Sequence, residues 1–178
     1  RGIFAPMISF NQKIKKRAKD IKSYLCIGID VNAKALGSDN FEDIKAHSKK
    51  IIDATRDIAL AFKPNFAFFE RWGSKGFKWL EETVDYIGSD CIIIADAKRG
   101  DIGNTAGQYA ESIFDHFGFD AVTLNPFMGE DSINPFLAHE DKGIFILCRT
   151  SNSSAHIFQN QKLNGGLFLY EKVAEWAN

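Results

Sequence analysis

Within DAKRGDIGNT (96–105), Asp96 and Lys98 stand two positions apart at the end of the apolar run CIIIADA (91–97), and Asp101 follows three residues later. Two positions along an extended chain lie on one face, so the carboxylate and the ammonium point to the same side. Asp101 falls on a loop that opens the next helical stretch. Acids and a base packed this closely beside an apolar strand are costly unless they pair or take part in chemistry. Lys63, at the end of an earlier apolar run, completes a Lys–Asp–Lys–Asp alternation. Such a row reads either as a salt-bridged cluster at strand ends or as a site that does chemistry.

The elements that must hold these groups alternate along the chain. FNQKIKKRAKD (10–20) predicts a basic, weakly amphipathic helix, followed by the strand-like run YLCIGID (24–30). In 41–57, Phe41, Ile44, Ser48, Ile51, Ile52 and Thr55 form one stripe at helical spacing, extended by Ile58. LAFKPNFAFF (60–69) reads as a second strand-type run, 74–87 as a helix and CIIIADA as a third strand. A helix over 104–117 turns Ala106, Tyr109, Ala110, Ile113, Phe114 and Phe117 inward. FDAVTLN (119–125), a short helix near 130–140, GIFILCR (143–149) and a helix over 167–176 complete the series. The strands are near-continuous apolar runs, which predicts a parallel sheet covered on both faces. Asp30, Lys63, Asp96, Asn125 and Arg149 each fall at or just past a strand's C-terminal end. Those ends converge on one mouth in a TIM (β/α)8 barrel, where active sites are built. Five strand–helix units are legible. A closed barrel takes about 250 residues, so 1–178 reads as a single barrel domain that is incomplete at its C-terminus.

Composition narrows the function classes. Hydrophobic residues make up 45% and charged residues 25%, which is ordinary for a globular fold. With 22 basic and 23 acidic residues, bulk charge points to neither a nucleic-acid nor a membrane surface. No apolar stretch approaches the roughly 18 residues that span a bilayer. The opening RGIFAPMISF has no initiator Met and no signal-like apolar segment. It reads as an expression scar or the cut edge of a longer frame, and the protein as cytoplasmic. Cys26, Cys91 and Cys148 sit in separate apolar runs and read as buried free thiols. His47, His116, His139 and His156 lack metal-ligand spacing, so no metal site is expected. The aromatic set Phe62, Phe66, Phe68, Phe69 and Trp72 suggests core and subunit contact. SNSSAHIFQNQKLNGG (151–166) lacks periodicity and suits either a mobile lid or a solvated loop.

The D-x-K-x-x-D pattern of Asp96, Lys98 and Asp101 resembles the signature of the orotidine monophosphate decarboxylase superfamily. DAKRGDIGNTA, with LCIGID upstream and FDAVTLNPFMGEDSI downstream, is similar to the bacterial-type decarboxylases themselves, over about 10–178. The resemblance implies decarboxylation of orotidine 5'-phosphate to UMP, with no cofactor. It implies Lys98 as proton donor to C6, Asp96 beside the substrate carboxylate, and Lys63 holding that acid and the ribose. Asp30 would bind the ribose hydroxyls with Asn65 on the same side, and Ser151 would read the pyrimidine edge. Asp101, Ile102 and Thr105 would reach into the neighbouring site of a homodimer. Asn125, before Pro126, marks either a structural turn or a substrate-side loop. The phosphate ligands, including an arginine, would lie beyond Asn178, so the 178-residue chain alone is expected to show little or no turnover.

Two rivals remain. One is a Mg2+-dependent sugar-phosphate decarboxylase or aldolase of the same superfamily, which needs a further acidic ligand near the second strand; Glu70 is the nearest candidate. The other is a non-catalytic barrel fragment or binding module.

Overall fold

A computed structural model describes residues 8–178. Most of RGIFAPMISF lies outside the described residues. Ser9 caps the first helix, α1 (Phe10–Ile21), by a reciprocal box with Gln12. The chain then alternates through β1 (Leu25–Ile29), α2 (Ala33–Leu36), α3 (Phe41–Thr55), β2 (Ala59–Pro64), α4 (Phe66–Glu70) and α5 (Ser74–Ile87). It continues through β3 (Ile92–Arg99), α6 (Gly103–Ala110), β4 (Ala121–Leu124), α7 (Asn134–Leu137), β5 (Gly143–Ile146), α8 (His156–Gln159) and α9 (Leu169–Trp176).

The strands form one sheet in the order β1-β2-β3-β4-β5, every pairing parallel. This is a curved part of a barrel wall, and five strand–helix units are what the sequence predicts. On the outer face, Ile29, Phe62, Ile93, Ala95, Val122 and Leu124 pack against Ile44 and Ile52 of α3, Trp79 and Leu80 of α5, and Ala106 and Ala110 of α6. Phe62, Phe66 and Phe69 are core residues, as their apolar setting predicts, while Phe68 and Trp72 are half-buried.

The inner face departs from the expectation of helices on both sides. Among the described residues only α1 lies there, with Phe10 and Ala18 against Leu60, Ala61, Ile92, Ile94 and Ala121. Arg17 anchors that helix by donating to the carbonyls of Ala59, Asp90 and Arg56 at the lower ends of β2 and β3. Because faces alternate along a strand, Ile92, Ile94 and Asp96 share this inner side. The inner wall is therefore apolar below, under α1, and charged above.

Four further expectations are corrected. The run 60–69 is not one strand: Pro64 ends β2, and Asn65 caps α4 by accepting from the Ala67 N–H. Ile58 is 52% exposed, because α3 stops at Thr55 before the stripe reaches it. Cys91 is buried, but Cys26 is exposed on an edge strand and Cys148 is intermediate. The segment 151–166 is not structureless; it contains α8, and Gln159 ties it to Thr150 by two hydrogen bonds of 2.8 Å.

Candidate active site

Neighbouring parallel strands bring Lys63 and Asp96 together at the upper rim of the inner face. The Lys63 ammonium donates to Asp96 Oδ2 at 2.8 Å, and Lys98 donates to Asp96 Oδ1 at 2.5 Å. The carboxylate side chain is 9% exposed, against 32% for Lys63 and 48% for Lys98. One buried anion thus carries two cations whose heads remain open to the mouth. Asp30, exposed just past β1, is near enough for its charge to act on Lys63.

The electrostatics follow from that arrangement. Burial disfavours the Asp96 anion, but the hydrogen bonds and charges of Lys63 and Lys98 outweigh it and hold the carboxyl below its ordinary range. Burial likewise works against the Lys63 cation, and Asp96, Asp30 and Cys26 overcome it, so Lys63 titrates above ordinary lysine. Although part of Cys26 reaches the surface, partial desolvation of its thiol pushes the group up, with Lys63 lowering it and Asp96 raising it.

Simple strand alternation does not account for Lys98. Ala95 pairs with Val122 and Arg99 with Leu124, so Asp96, Ala97 and Lys98 bulge opposite the single residue Thr123. Lys98 takes φ 48°, the left-handed region, which costs of order 1–3 kcal/mol for a non-glycine residue. Thr123 Oγ1 accepts from the Lys98 N–H at 3.0 Å and lies 3.2 Å from Asp96 Oδ1. The sequence reading passed over Thr123. The available signal was a hydroxyl two residues before Asn125, on the inner side of a short apolar strand.

The other site candidates are placed around this centre. Asp101 accepts from the Ile102 N–H at 2.8 Å and forms no ion pair among the described residues. Ile102 and Thr105 are exposed at the start of α6, as are Phe127 and Met128 beyond β4. Asn125 accepts from the Phe127 N–H, which is a turn-forming role, and its backbone lies so close to Gly100 that a Cβ there would meet the Asn125 carbonyl at 2.9 Å. Ser151 sits in a polar recess with Arg149, Thr150 and Asn152 and does not touch the Lys–Asp–Lys row. Glu70 is engaged by Arg99 at 2.8 Å.

A family profile described as Orotidine 5'-phosphate decarboxylase / HUMPS family matches residues 23–175. The chain is 45% identical over 177 residues to the orotidine 5'-phosphate decarboxylase of Bacteroides fragilis, covering 94% of this chain and 65% of that protein. It is 46% identical over 169 residues to that of Herpetosiphon aurantiacus, covering 93% and 63%. A structure of Leishmania donovani OMP decarboxylase superposes with TM-score 0.86 at 38% identity, covering 96% of this chain and 65% of that one. The chain therefore spans slightly less than two thirds of the relatives it matches. Its parallel half-wall, its Lys63–Asp96–Lys98 row and these matches agree, and the chain belongs to the orotidine 5'-phosphate decarboxylase / HUMPS family.

Proposed function

We propose that the full-length protein decarboxylates orotidine 5'-phosphate to UMP, and that residues 1–178 supply the catalytic part of a single cytoplasmic barrel domain. The observation that carries this reading is one buried carboxylate held between two outward-facing ammonium groups. Loss of CO2 leaves an sp2 carbanion at C6 with no electron sink, and barriers of that kind call for roughly 20 kcal/mol of differential stabilisation. In this reading Lys98 stabilises that carbanion and then protonates it. One ion pair at contact distance supplies only about 4 kcal/mol at an effective dielectric near 20. The remainder comes from the preorganised row and from binding energy at remote groups, above all the phosphate.

Asp96 orients Lys63 and Lys98 and stands beside the substrate carboxylate. Asp30 and Asn65 line the ribose side, and Ser151 and Asn125 the loops above the pyrimidine. Asp101, Ile102 and Thr105 serve the neighbouring site of a homodimer. That assignment is supported by an Asp101 carboxylate unengaged by the row of its own chain, and by exposed Ile102, Phe127 and Met128 on the same rim. The test is turnover of orotidine 5'-phosphate by the purified full-length protein, followed as UMP and CO2. No UMP above a no-enzyme blank would reject the reading.

A further inference from the structure

We infer that Thr123 is a positioning residue whose hydroxyl holds the bulged backbone of β3 in the conformation that sets the Lys98 ammonium against Asp96. The inference deepens the proposed decarboxylase site and rests on that reading for its kinetic consequence.

The register leaves Thr123 alone opposite three residues, so the ordinary ladder has no carbonyl to offer the Lys98 N–H. The threonine hydroxyl stands where that carbonyl would be, accepting at 3.0 Å. A hydroxyl has one proton to give, and two acceptors lie within reach: Asp96 Oδ1 at 3.2 Å and the Ala95 carbonyl at 3.4 Å. The ionised carboxylate is both nearer and the stronger acceptor. Thr123 then touches the charged row twice, once at the backbone of Lys98 and once at the oxygen that Lys98 Nζ also contacts. The β-branched side chain is stiff at χ1, so the hydroxyl is fixed by the strand. Lys98 holds φ 48° although an extended conformation is available to it. Remove the hydroxyl and an unpaired N–H remains at the bulge. The backbone is then free to relax toward the extended region, which swings the lysine side chain off the row. A misplacement of about 1 Å at reacting groups is enough to slow chemistry about a hundredfold.

The test uses Thr123→Val, which keeps shape and β-branching, and Thr123→Ser, which keeps the hydroxyl, in the full-length protein. Thr123→Val is expected to lower kcat about 10- to 100-fold with KM moving less than about threefold, and Thr123→Ser to restore kcat to within about threefold. Backbone NMR couplings and carbon shifts of Lys98 should place φ in the left-handed region in the parent and the Ser variant, and outside it in the Val variant. Thr123→Ala provides the same comparison if the Val variant does not fold. Unchanged kcat together with unchanged Lys98 φ in Thr123→Val overturns the inference, as does a loss of kcat that Thr123→Ser fails to reverse. Should the parent protein show no turnover, the decarboxylase reading falls, and the Lys98 φ comparison still decides the role of Thr123.

Discussion

The Lys63 ammonium and the Asp96 carboxylate meet at 2.8 Å across β2 and β3, although 33 positions separate them in the chain. Parallel pairing of the two strands makes the contact, since Ala61 and Phe62 register with Ile92 and Ile93. Continuing both strands upward from that register sets Asp96 level with Asn65, two positions above Lys63 on the same inner wall, and the long lysine side chain reaches up to it. Asp96 then takes Lys98 on its other oxygen. The order of charges is set by strand geometry, and each cation leaves part of its surface open to the mouth.

Replacing Lys98 by alanine is expected to lower kcat on orotidine 5'-phosphate by about two to four orders of magnitude, the usual range for removing a positioned proton donor. Steady-state turnover checks this. A variant within about tenfold of the parent would show that the proton comes from elsewhere.

The row also predicts how stability depends on pH. Asp96 is depressed on folding, so it contributes stability above its unfolded pKa of about 3.9 and loses that contribution as pH falls through the folded value. Lys63 is raised, so its contribution is complete below an unfolded pKa of about 10.4 and is lost as pH rises through the folded value. The difference in Tm between the parent and Asp96→Asn should be flat from about pH 5 to 9 and shrink below about pH 4. A difference that persists unchanged at about pH 3 contradicts the assignment.

Glu70 bears on the metal-dependent rival. Its carboxylate is paired with Arg99 at 2.8 Å, and Arg99 also stacks over the Phe66 and Tyr109 rings. A carboxylate neutralised by a guanidinium is a poor ligand for a divalent cation. Turnover should therefore survive EDTA to within about twofold, whereas loss restored by added Mg2+ would revive the rival.

Subunit sharing is open to complementation. Lys98→Ala and Asp101→Asn gather both defects in the same site of a mixed dimer, so its other site has both native residues. Random reassociation of equal amounts should recover about a quarter of parental activity, because half the dimers are mixed and half their sites intact. No recovery, with exchange verified by mass spectrometry, would place Asp101 in its own chain's site.

Gly76 should resist any side chain. A Cβ there would lie 1.9 Å from the Phe69 carbonyl oxygen, where α5 begins against α4. Gly76→Ala is expected to destabilise the fold by about 1–3 kcal/mol or more in urea unfolding, as overpacking does. Gly107→Ala, on the open side of α6, should be neutral or slightly stabilising.

Local pattern carried much of this in advance. The apolar runs placed all five strands, and the 74–87 helix agrees with α5 to the residue. Where the reading failed, a longer-range contact was responsible. Cys26 is exposed because β1 lies at the edge of the sheet, and the inner face is covered by α1, docked through Arg17 to carbonyls from distant turns. Neither fact has a periodic signature.

The charged row divides in the same way. Residue types and two-residue spacing alone put a carboxylate and an ammonium at one strand end, because alternation of faces is a property of the extended chain. That Lys63 joins them depends on which strands pair and in what register. That Lys98 reaches Asp96 depends on a bulge opposite Thr123 and on a left-handed backbone that no local propensity favours. Such a conformation persists only where surrounding hydrogen bonds outweigh its strain, and those bonds exist only once β4 lies against β3.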